Sequence, residues 1–232
     1  MYEGCSDLRY FSIDANSDEL LAKFPKLQTA RFMFNGCKNF ETTDFKADSF
    51  PELLDGFAMF QRCSKLTTIP CSFPKLQNAR QMFMNCNISG EFDLDMPKDF
   101  PNVSVNSLGG GNAPTAYMFT GNPITSLSFD VSSVDNGMSM FANCPTLTQC
   151  TKAIFQEGGS YQSMFGESNF DAASGSIIIT AAINANVQIL HIGMNSNART
   201  EQFRNTFGLV QVTEGSDSQW KTEDGKIIIV WH

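Results

Sequence analysis

The sequence predicts an α/β solenoid: about six short, irregular repeats, each with one short parallel strand, closed by a β-rich C-terminal cap. Three observations predict it. A Met-Phe pair recurs six times, at Met33-Phe34, Met59-Phe60, Met82-Phe83, Met118-Phe119, Met140-Phe141 and Met164-Phe165. A Phe-Pro stands nine residues before each of the first three Met residues, at Phe24-Pro25, Phe50-Pro51 and Phe73-Pro74. A Cys stands four residues after the Met at Cys37, Cys63, Cys86 and Cys144. Self-similarity at a period of about two dozen residues marks units that cannot bury their apolar face alone and stack on one another.

The first 23 residues read as an N-terminal cap. Asn16 followed by Glu19 resembles a capping box that would open a short helix over 17–23. An array of stacked repeats must close its exposed end in this way. The array itself is expected over residues 24–174. Proline falls where the first turn of a helix tolerates it. Leu27, Ala30 and Phe34, then Leu76, Ala79 and Phe83, sit at helical spacing. Residues 66–69 and 92–94 read as short strands, so each unit is one helical or turn segment plus one strand. Unit four carries an insertion of nine residues, around VSVNSLGGGNAPT, and insertions map to loops on one face, often the binding face. Its three glycines are not followed by the lysine a nucleotide loop needs.

In unit four Asn122 takes the cysteine slot, and in unit six Ser168 does. Cys and Asn are exchangeable there because both are small and can hydrogen-bond the turning backbone. Residues 175–232 read as the β-rich continuation and cap. Candidate strands cover 177–180 and 187–192, a short helix falls within NSNARTEQFRNTF, and two strands pair around a polar turn at 216–225.

Composition narrows the function. A formal charge of −8 argues against nucleic acid and against anionic membrane surfaces. No apolar run reaches the roughly 18 residues needed to cross a bilayer, so membrane insertion is not expected. The N-terminal stretch lacks the basic-then-apolar pattern of a secretory signal. The expected location is therefore a virion or an extracellular surface, reached by another route or after signal removal, and the cytoplasm if neither. Seven cysteines, four in one repeated slot, argue for a column of buried thiols rather than a disulfide framework. A zinc site needs ligands converging on one point, and a repeated slot lines them up instead. Cys71 and Cys150, outside that slot, read as inert thiols.

The Met-Phe-x-x-Cys-x-x-Leu pattern, clearest in QMFMNC, AMFQRCSKL and SMFANCPTL, resembles the BspA-type leucine-rich repeats over roughly residues 24–170. The chain departs from them in its long fourth unit, its missing sixth Cys and its strong Phe-Pro opening. The resemblance implies a protein-recognition or adhesion scaffold of bacterial or protist surfaces, or of bacteriophage proteins.

Nothing in the sequence demands catalysis. The two histidines are His191, in the apolar run QILHIGM, and the terminal His232. Glu91, Asp93 and Asp95 alternate with Phe92 and Leu94, which on a strand aims three carboxylates to one side. They could bridge a divalent ion but read first as a solvated face. The expected function is therefore non-catalytic binding of a protein or glycan, as a virion-associated or surface-exposed module, with no cofactor and no metal. Asn106, Leu108, Asn112 and Tyr117, around the insertion, are the expected partner contacts. The alternative is an architectural protein, within a homo-oligomer or a virion, whose Ile227, Ile229 and Trp231 dock on a neighbour by strand addition.

Overall fold

The computed structural model describes residues 24–39, 49–103, 113–213 and 218–232. Its strands form two separate sheets, an α/β arrangement, and this corrects the expected solenoid of leucine-rich repeats. The first sheet is parallel, in the order β1-β2-β3, from β1 (Gly90–Asp95), β2 (Ile124–Val131) and β3 (Gln149–Phe155). The second has five strands in the order β4-β5-β8-β7-β6. These are β4 (Ser160–Phe170), β5 (Ile189–Met194), β6 (Leu209–Gln211), β7 (Gln219–Thr222) and β8 (Ile227–Trp231). β6, β7 and β8 are antiparallel neighbours. A uniform repeat array with one strand per unit would give a single parallel ladder, and residues 66–69 contribute no strand to one.

The first five Met-Phe segments are turns, not helices, and the sixth, Met164-Phe165, lies within β4. The residue before the Met has positive φ in all six: Phe32, Ala58, Gln81, Tyr117, Ser139 and Ser163. A second left-handed residue follows the Met by three in five of them, at Gly36, Arg62, Asn85, Gly121 and Asn143. A non-glycine side chain in that region costs about 1–2 kcal/mol, so neighbouring contacts must hold it there. Consecutive segments supply them through backbone hydrogen bonds at alternate residues. Phe34 N–H donates to Met59 O, Phe60 to Met82 O, Phe83 to Met118 O, Phe119 to Met140 O and Phe141 to Met164 O, at 2.8–3.0 Å. The Phe of each pair is buried and stacks on the next. Phe34, Phe60, Phe83, Phe119, Phe141 and Phe165 follow one another at centroid spacings of 5.4, 5.6, 5.6, 5.5 and 5.8 Å. Phe24, Phe50, Phe73 and Phe100 form a second stack.

The cysteine slot is buried, and the thiols of Cys63, Cys86 and Cys144 cap the unit before them. Cys63 Sγ donates to Phe34 O at 3.1 Å and Cys86 Sγ to Phe60 O at 3.0 Å. Burial pushes the Cys86 thiol up to about 12 and the Cys144 thiol up to about 11, so neither is a thiolate at neutral pH. Asn122 does the same work with an amide. Its Nδ2 donates to Phe83 O and Phe119 O, and its Oδ1 accepts from Ile88 N–H.

Residues 177–180, expected as a strand, lie inside helix α2 (Ala172–Asn184). Asp171 caps it by accepting from Ser174 N–H, and Ser174, Gly175, Ile178, Ile179 and Ala182 make a buried face at helical spacing. Gly175 lets the end of the Met194 side chain lie close against the helix, and a Cβ there would make that side chain shift. The short helix α1 (Met96–Asp99) follows β1, and α3 (Glu201–Thr206) falls where a helix was expected. Only part of the expected polar turn at 216–225 is a turn, because Gln219–Thr222 form β7 between the two strands thought to pair directly. The expected cap at 1–23 lies outside the described residues.

Candidate functional site

The outer face of the parallel sheet holds the polar groove that we take as the candidate site. Alternation along each strand sends one set of side chains inward and the other to solvent. Leu94, Leu127, Phe129 and Cys150 go inward and are buried. Glu91, Asp93, Ser126, Ser128, Gln149 and Thr151 face out and, with Phe92, line an open cavity of about 350 Å3. The register sets them in rows: Glu91 beside Ser126 beside Gln149, then Asp93 beside Ser128 beside Lys152. Phe92 is half-buried because its ring meets the edge of Phe119, 5.0 Å away, which ties the groove floor to the long Phe stack. The groove thus presents carboxylates, hydroxyls and an amide around one aromatic edge. Among the described residues, no group of three or more His, Cys, Asp or Glu is placed to hold a metal ion, and no helix is long and apolar enough to cross a membrane.

The residues singled out in the sequence fall in different places. Glu91 and Asp93 are in the groove, and Asp95 lies beyond it on the same face, opposite Asp130. Tyr117 is half-buried on the Met-Phe turns with a left-handed backbone, its N–H bonded to Met138 O. Asn106, Leu108 and Asn112 lie outside the described residues. Ile227, Ile229 and Trp231 are buried, at 2%, 0% and 7% exposure. Their strand, β8, is paired with β5 on one edge and β7 on the other. Strand addition there would have to displace one of them. Ser126, Ser128, Gln149 and Thr151 carried no local signal, since only the strand register brings them beside Glu91 and Asp93.

His191 lies on β5 with Nδ1 3.4 Å from Ser163 Oγ. Its Nε2 is buried without a partner among the described residues, and neither ring nitrogen meets a carboxylate. The pair therefore lacks the orienting acid of a nucleophilic triad. Burial lowers the His191 pKa below its ordinary 6.5. The folded chain thus resists protonation that the unfolded chain accepts, and stability falls as pH drops through 6.5 toward the folded value. We expect the midpoint of thermal unfolding of the wild type to fall more than that of His191→Gln between pH 7 and pH 5, as measured by circular dichroism. Equal shifts would show that His191 ionises as freely in the fold as outside it.

No protein-family model, curated protein or solved structure matches the chain. The resemblance to BspA-type repeats therefore stands on the Met-Phe-x-x-Cys motif alone.

Proposed function

We propose that the chain is a non-catalytic binding module that takes an oligosaccharide in the groove of the parallel sheet. One observation carries the reading: Glu91, Asp93, Ser126, Ser128, Gln149 and Thr151 line one open cavity together with Phe92. A sugar ring offers many hydroxyls and apolar C–H faces. Carboxylates accept from hydroxyls in charge-assisted bonds, roughly twice as strong as neutral ones. Ser, Thr and Gln side chains donate and accept as the ring requires, and an aromatic edge covers its apolar patches. The same carboxylates repel polyanions, which fits a chain of net charge −8. Both histidines belong to the other sheet or its end, so no imidazole base reaches the groove. Such ligands are displayed on outer surfaces, and the proposal carries with it a virion or cell-exterior setting.

The test is a glycan array probed with the labelled full chain, followed by calorimetric titration of the glycans retained. Asp93→Ala is expected to weaken binding about 10- to 100-fold, the loss of one charge-assisted bond of about 1.5–3 kcal/mol. Gln149→Ala is expected to weaken it less. Absence of any glycan binding at millimolar ligand, or binding that Asp93→Ala leaves intact, would overturn the reading.

A further inference from the structure

We infer that copies of this chain associate through an Arg-Phe-Arg patch on the Met-Phe turns of one copy and an acidic patch on the parallel sheet of another. The two patches match in charge and in apolar content. On the turns, two guanidinium groups lie over the Phe57 ring, with Arg31 Cζ 4.9 Å and Arg80 Cζ 5.7 Å from its centroid. Phe32 meets it edge-on at 4.9 Å, and Arg62 is exposed on the same unit. Asp55, 3.6 Å from Arg31, is the single anion paired within this group among the described residues. Arg80 Nε is buried without a hydrogen-bond partner among the described residues. Arg and aromatic side chains held this way are the residue types that dominate protein–protein contacts.

The complement sits past the groove, at the C-terminal ends of the strands. Asp95 on β1 lies opposite Asp130 on β2, and Asp130 lies opposite Ile154 on β3. Like charges placed side by side on one face of a sheet repel. Asp99 adds a third carboxylate, its Oδ2 accepting from Asp95 N–H. No Lys or Arg side chain pairs with Asp95, Asp99 or Asp130 among the described residues. Ile154 is 37% exposed beside them and offers an apolar seat for Phe57.

The whole chain is divided in the same sense. Residues 24–89 hold eight Lys and Arg against five Asp and Glu, and the remainder holds eight against nineteen. Unlike patches on one chain make a heterologous contact, which propagates into a ring or an open chain of copies. The Glu91–Ser126–Gln149 row lies at the other end of the strands, with the Asp93–Ser128 row between it and the contact. The contact itself does not depend on what the groove binds.

Sedimentation velocity of the full chain tests this at about 0.01 M and about 1 M salt, where charges are screened over about 30 Å and 3 Å. The wild type is expected to associate at low salt and to dissociate at high salt. Arg31→Glu/Arg80→Glu and Asp95→Lys/Asp130→Lys are each expected to stay monomeric alone. Mixed in equal amounts they are expected to associate again, since every basic patch then meets an acidic one. The milder pairs Arg31→Gln/Arg80→Gln and Asp95→Asn/Asp130→Asn keep the local hydrogen bonding and should weaken association at least tenfold. A wild type that is monomeric at low salt, or variants that associate as the wild type does, would overturn the inference.

Discussion

Phe119→Ala is expected to lower the stability of the chain by about 3–5 kcal/mol, the range for removing a buried aromatic ring. Phe119 is fully buried, at 0% exposure. Its ring is stacked between Phe83 and Phe141 at 5.6 and 5.5 Å, and Phe92 packs against its edge at 5.0 Å. Truncation therefore opens a void in the middle of the stack, where neither neighbour can close in without giving up its own backbone bonds. Phe83 and Phe119 N–H groups both bond across to the next unit. Loss of the same ring also removes the support behind Phe92, so glycan binding should weaken even where the variant stays folded. Urea unfolding followed by circular dichroism measures the first effect. A midpoint within the error of the wild type would mean that the stack contributes little.

Asn122→Leu is expected to cost about 2–6 kcal/mol, because two buried backbone groups lose their side-chain partner and each buried unpaired group costs about 1–3 kcal/mol. Those groups are Ile88 N–H and Phe83 O, while Phe119 O keeps the Cys144 thiol as a donor. The leucine is apolar and close in size, so hydrophobic burial does not explain the loss. Asn122→Cys should cost clearly less than Asn122→Leu. A thiol already serves the equivalent carbonyl at Cys63 and Cys86, and at Cys144 over a longer 3.7 Å contact to Phe119 O. If Leu and Cys destabilise equally, the slot is a matter of volume and not of hydrogen bonding. The measurement is again the denaturation midpoint, with the slope compared to confirm an unchanged unfolding reaction.

These two residues also show what the sequence could reveal. The phase of the Met-Phe pairs located the buried Phe and Met columns and the cysteine slot, because burial follows side-chain type. It gave the wrong architecture, because the backbone of the repeated segment is set by left-handed residues with no signature. Phe32, Ala58, Gln81, Tyr117, Ser139 and Ser163 include neither Gly nor Asn, and Leu27, Ala30 and Phe34 at helical spacing fit a turn equally well. The IIIT run of α2 was misread as a strand because β-branched residues favour one. The Asp171 cap and the buried face from Ser174 to Ala182 decide for helix instead. Glu91, Asp93 and Asp95 were legible as one face, since alternation along a strand needs no partner. The groove was not, since Ser126 and Gln149 reach Glu91 only through the pairing of three strands distant in the chain.

The direct measurement is a titration of the isotopically labelled chain with a retained oligosaccharide, followed through its backbone amide resonances. The account predicts that the shifts concentrate on Glu91–Asp93, Ser126–Ser128 and residues 149–152, and that Asp93→Ala suppresses them. Shifts centred instead on the Met-Phe turns or on the second sheet, with the strand residues unmoved, would contradict it.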